Sequence, residues 1–103
     1  RRLMNALALM RHDFAQPLSL PMIAREASLS VSQLVRGLRQ QKHCTPHAYL
    51  TSIRLQQARR LLQQGASIAE AAQHTGFADQ AHLQRQFKRC FASTPGHYQK
   101  GSQ

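Results

Sequence analysis

Apolar residues recur along this chain at helical spacing, in short runs separated by capping residues. Leu3, Leu7, Met10 and Phe14 fall at i, i+4, i+7 and i+11, which predicts a packed stripe on a first helix ending before Pro17. Ser19 is placed to cap a short second helix carrying Leu20, Ile23, Ala24 and Ala27, and Ser28-Leu29-Ser30 interrupts it. Ser30 then starts a third helix, with Gln33 completing a capping box. Thr45-Pro46 opens a longer helix, because threonine caps free N–H groups and proline loses nothing at the first helical position; Gly65 supplies the stop. From Pro46 to Gln64 this helix is about 28 Å long at about 1.5 Å per residue.

Beyond Gly65 the pattern returns. Ser67 and Glu70 form a second capping box, Ile68, Ala71 and Ala72 make the apolar face, and Gly76-Phe77-Ala78 breaks the run. Asp79 caps a helix bearing Leu83, Phe87 and Phe91. Thr94-Pro95 starts a last short helix containing Tyr98, and the polar tail from Lys100 to Gln103 is expected to fray. In the long helix Tyr49, Leu50 and Ile53 point one way, while Leu55, Ala58, Leu61 and Leu62 centre roughly 140° further round the axis. One face therefore serves each half of the chain; the alternative is a helix buried nearly all round in one core.

The halves are copies. Ser19, Leu20, Ala24 and Leu29 match Ser67, Ile68, Ala72 and Phe77 at an offset of 48. Leu34, Arg36, Leu38, Arg39, Thr45, Pro46 and Tyr49 match Leu83, Arg85, Phe87, Lys88, Thr94, Pro95 and Tyr98 at an offset of 49, one residue having entered at the start of the second copy's second helix. The expected fold is all-α, with about seven helices. They form two homeodomain-like helix-turn-helix lobes, residues 1–44 and 66–100, joined by a connector helix over 45–65.

Charge narrows the function. Fourteen Lys and Arg oppose four acids, Asp13, Glu26, Glu70 and Asp79, for a net charge of +10. That excess favours a polyanionic partner, nucleic acid first and an anionic membrane surface second. No apolar run is long enough for a membrane span and no signal peptide is present, so a cytoplasmic, nucleoid-associated protein is expected. Cys44 and Cys90 lack CxxC spacing and are read as reduced thiols.

A helix-turn-helix unit lays its second helix in the major groove, so that helix needs one apolar and one polar, basic face. In the first copy Ser32, Arg36 and Arg39 lie opposite Leu34 and Leu38, with Gln33 and Val35 on the flanks. In the second, Ala81, Arg85 and Lys88 lie opposite Leu83 and Phe87, with Gln80 and Gln84 beside them. Arginine pairs with guanine and glutamine with adenine, so Arg36, Arg85, Gln80 and Gln84 are candidates for base readout; Val35 and Ala81 suit a thymine methyl. Arg39, Lys88 and Gln33 are assigned to phosphates, which set affinity and register. For each the plainer reading is an ordinary solvated helix residue. A rigid spacer of about 28 Å would let both helices enter successive major grooves, one duplex turn being about 34–36 Å.

The run Ala72-x-x-x-Gly76-Phe77, then Phe87-Lys88, then Thr94-Pro95-x-x-Tyr98, resembles the C-terminal signature of the AraC/XylS family of bacterial transcription regulators. The resemblance extends from Leu3 to Tyr98 and includes Arg54-Leu55-x-x-Ala58-x-x-Leu61-Leu62 in the connector. It implies a seven-helix DNA-binding domain that activates transcription through RNA polymerase and is fused behind an N-terminal effector or dimerisation domain. That these residues hold no such domain fits either an excised domain or one of the family's short members, and the absence of a starting Met favours excision. By motif position the base-contacting places fall on Ser32, Val35 and Arg36, and on Gln80, Ala81, Gln84 and Arg85. Three departures lie in the first unit: Ser28 where the turn often has glycine, Gly37 inside the recognition helix at a cost of about 1 kcal/mol relative to Ala, and Val35 where a polar reader is common.

Other functions fit less well. His43, Cys44 and His47 lie close together, but Thr45-Pro46 separates them and zinc-ligand spacing is lacking, so no metal or cofactor is expected. No nucleophile–base pair or carboxylate pair suggests an enzyme. A membrane-surface module would need longer basic amphipathic stretches, and an RNA-binding one a stacking platform that Tyr49 and Tyr98, at equivalent core positions, do not supply.

Overall fold

The computed structural model describes residues 1–91 and Pro95. These form six α-helices: α1 (Arg2–His12), α2 (Leu20–Glu26), α3 (Val31–Lys42), α4 (Pro46–Gln63), α5 (Ile68–Thr75) and α6 (Gln80–Phe91). The expected last helix over Thr94 to Tyr98, and the tail after it, fall outside the described residues apart from Pro95. That proline is fully buried, as its repeat equivalent Pro46 is also buried.

The chain divides into two compact units, Arg1–Ile53 and Arg54–Gln103, and the division falls inside α4. In the first unit α1, α2, α3 and the start of α4 enclose Leu7, Met10, Ile23, Leu34, Leu38 and Leu50, with Tyr49 and Ile53 packed at the edge. In the second the end of α4, α5 and α6 enclose Leu55, Ala58, Leu62, Ala72, Phe77, Leu83 and Phe87, with Leu61 and Phe91 at the edge. The apolar residues of α4 thus partition by face, and Ser52, Gln56, Arg60 and Gln63 remain exposed, which rules out a helix buried all round.

Local signals account for the element ends. Ser19 Oγ accepts the Met22 N–H, and Thr45 Oγ1 accepts that of Ala48. Both Ser30–Gln33 and Ser67–Glu70 form reciprocal capping boxes. At the end of α4, Gly65 is left-handed (φ 99°) and the Ala66 N–H reaches back to the Leu61 carbonyl, closing a Schellman motif.

The turns that separate the paired helices are the same device built from different residues. Leu29 N–H donates to the Ala24 carbonyl at 2.8 Å, and Phe77 N–H to that of Ala72 at 3.1 Å. Each bond requires a left-handed residue just before it: Gly76 (φ 88°) in the second unit and Ser28 (φ 59°) in the first. The serine therefore adopts glycine's geometry and carries the strain of a Cβ there, about 1 kcal/mol.

Candidate nucleic-acid interface

Helices α3 and α6 carry every candidate contact, and each is fixed from beneath and at its start. On α3 the fixing side chains are Leu34 and Leu38, both fully buried. Gly37 lies under α1, where a Cβ would meet Leu3 Cδ2 at 3.1 Å and Cδ1 at 3.2 Å. Glycine here admits Leu3 against the helix, which explains a residue that propensity alone marks as a defect. On α6 the anchors are Leu83 and Phe87, again fully buried. Phe87 meets Phe91 edge to face at 4.6 Å, and the Arg59 guanidinium stacks 4.8 Å from the Phe91 ring centre.

Starts are fixed by caps. Ser30 Oγ accepts the Gln33 N–H at 3.0 Å while Gln33 Oε1 accepts the Ser30 N–H at 2.9 Å. Asp79 Oδ1 accepts the His82 N–H at 2.8 Å. Neither helix has an acidic residue in its first turn, whereas Arg39 and Lys42 close α3 and Lys88 and Arg89 close α6. The helix dipole leaves partial positive charge at the N-terminal end, so α3, capped by the neutral Ser30, suits an anionic surface at its start, whereas the Asp79 carboxylate already offsets the dipole of α6; both helices are balanced by their own cations at their ends.

The outward faces follow from this anchoring. On α3, Ser32, Gln33, Arg36 and Arg39 are exposed and Val35 is half-buried. On α6, Gln80, Ala81, Gln84, Arg85 and Lys88 are all exposed. Gln33 has its carbonyl oxygen engaged in the cap, which leaves its amide N–H₂ as a donor for phosphate. Among the described residues none of Arg36, Arg39, Arg85 and Lys88 is held in an ion pair. His82, at the repeat position of Gln33, is turned inward instead, its ring edge-on to Phe77 at 5.3 Å with Nδ1 buried.

One outward residue of α3 was not anticipated. Val31, the first residue of the helix, is 39% exposed on an otherwise polar surface. The repeat offset that pairs Arg36 with Arg85 pairs Val31 with Gln80, and applying it to Gln80 would have identified the position. Among the described residues no cluster of three or more His, Cys, Asp or Glu could hold a metal, and no helix is long and apolar enough to cross a membrane.

Comparison with known proteins places this geometry. Residues 23–101 match the family model described as a helix-turn-helix domain. The HTH-type transcriptional activator RhaS of Escherichia coli O157:H7 is 38% identical over 101 residues, which is 97% of this chain but 36% of that protein, so the chain spans about a third of the length of such relatives. A transcriptional regulator of Chromobacterium violaceum, described as an AraC-type DNA-binding domain-containing protein, superposes with a TM-score of 0.92 at 31% identity, covering 98% of this chain and 91% of that one. The DNA-binding domain of AdpA, a global transcriptional factor solved with a target DNA, gives a TM-score of 0.90 at 26% identity over 96% of this chain and 90% of its own.

Proposed function

The chain belongs to the AraC-type helix-turn-helix family, and from that premise we propose that it binds double-stranded DNA sequence-specifically to regulate bacterial transcription, as an activator. One recognition helix from each unit, α3 and α6, enters one of two successive major grooves. Ser32, Val35, Arg36, Gln80, Ala81, Gln84 and Arg85 face base edges, and Gln33, Arg39 and Lys88 hold phosphates. The observation that carries this reading is the duplicated outward face: two capped helices, anchored at matching positions, expose matching arginines in a chain of net charge +10.

Activation would operate through contact with RNA polymerase at the bound site, with no catalytic role and in the cytoplasm, at the nucleoid. Effector sensing is left to a separate domain, in keeping with relatives of which this chain spans 36%.

The deciding experiment is selection of bound sites from a random duplex library at near-physiological salt. Two enriched blocks about one helical turn apart, with affinity falling steeply as salt rises, are expected. One block would mean that only one unit reads bases, and no enrichment would refute sequence-specific binding.

A further inference from the structure

We propose that Val31 and Val35 together form an apolar reader of pyrimidine 5-methyl groups, so that the first unit selects thymine by shape where the second uses amide hydrogen bonds. This rests on the DNA-binding role proposed above. The offset of 49 that superposes the units pairs Val31 with Gln80 and Val35 with Gln84. At both places where α6 exposes a glutamine, α3 has a valine. The exchange is concerted, and the two positions lie four residues apart, on one face of the helix.

The fold does not call for these valines. The packing face of α3 is Leu34 and Leu38, both fully buried, whereas Val31 is 39% exposed and Val35 is half-buried. Valine is also a poor helix former beside the residues usual on a solvated surface. Apart from Met4 on α1, Val31 is the one large hydrophobic side chain exposed among the described residues.

The major groove presents one methyl group, the C5-methyl of thymine; the hydrogen-bonding groups beside it are donors and acceptors that valine cannot satisfy and would desolvate, and the C5–H of cytosine offers far less apolar surface. An apolar pair on a recognition helix therefore favours a methylated pyrimidine edge and disfavours the same edge without its methyl. Cytosine carrying a 5-methyl group offers the same apolar contact, so the pair would respond to cytosine methylation as well as to thymine.

The test uses the 103-residue chain and the tightest duplex from the selection above. Each thymine is replaced in turn by uracil, which keeps every hydrogen bond and loses only the methyl, and affinity is followed by fluorescence anisotropy. One or two uracil replacements should each weaken binding about fourfold, the scale of one buried methyl group. That loss should vanish in Val31→Ser or Val35→Ser, whichever valine touches the position. With unaltered protein, cytosine at the same position should bind about fourfold more weakly than 5-methylcytosine, a comparison that needs no variant. A flat uracil scan, or a loss that persists in both serine variants, would overturn the methyl reading while leaving DNA binding intact. A selected duplex that binds no better than its scrambled counterpart would remove the DNA-reading proposal itself.

Discussion

Replacing Gly37 with alanine sets two effects of known sign against each other. A mid-helix glycine is about 0.8–1 kcal/mol less favourable than alanine, so the propensity gain is close to 1 kcal/mol. Against it, the new Cβ would lie 3.1 and 3.2 Å from the Leu3 methyl carbons, a few tenths of an ångström inside ordinary contact. Leu3 is half-buried and sits in the first turn of α1, so it yields rather than blocks. Its packing is worth about 1 kcal/mol at half burial, and a small retreat forfeits a quarter to a half of it, about 0.5 kcal/mol at most. Gly37→Ala should therefore stabilise the first unit by about 0.5 kcal/mol, and by the full amount, about 1 kcal/mol, when Leu3 is already alanine. Native-state amide exchange along α3 in the four proteins of the cycle measures this. Equal gains in both backgrounds would show that Leu3 does not constrain the site. A destabilisation above about 1 kcal/mol would show that α1 cannot yield.

Other outcomes follow from the turns, the capping boxes and the outward faces. Ser28→Gly should stabilise by no more than about 0.5 kcal/mol, the left-handed strain relieved less the added freedom of the unfolded chain, while Gly76→Ala should destabilise by about 1 kcal/mol or more; paired urea titrations check both. The Ser67 backbone N–H and hydroxyl, with His74 nearby, hold the Glu70 carboxyl below the ordinary glutamate range. Its contribution to stability is thus complete above that range and is lost as pH falls through the lowered value; in Glu70→Gln this part of the loss on acidification should disappear from thermal melts. Arg85→Ala should relax specificity at one base position by about 1–3 kcal/mol, whereas Lys88→Ala should weaken all duplexes alike and reduce the salt slope by about one; an even loss in both variants would remove Arg85 from the readers.

Much of this architecture is legible in one dimension because the fold is assembled from local signals. Ser19, Ser30, Thr45, Ser67 and Asp79 lie where a cap is needed, and their bonds span only three residues, so sequence spacing fixes them. Duplication added a second reading of each position, which is why the outward sets on α3 and α6 could be written down from helical geometry. What escaped depends on partners distant in sequence. Gly37 looked like a flaw because its reason, Leu3, lies on another helix. Val31 was passed over because an apolar residue at a helix start is easily assigned to the core, and only three-dimensional packing shows it outside. His82 turns toward Phe77 while its counterpart Gln33 faces solvent, a difference set by ring packing rather than spacing.

Helix α4 has an implication for how the chain assembles. It is continuous across the boundary between units, yet its apolar residues are divided between two cores without sharing. Starting a helix is the costly step, with a nucleation constant near 10⁻³, about 4 kcal/mol, whereas each added residue is nearly neutral. Whichever unit folds first therefore hands the other a helix already begun, and α4 acts as a template that makes two small cores fold as one cooperative system. Ser52, exposed and in neither core, is the place to weaken that coupling: Ser52→Gly should broaden or split the melting transition while leaving both cores their side chains.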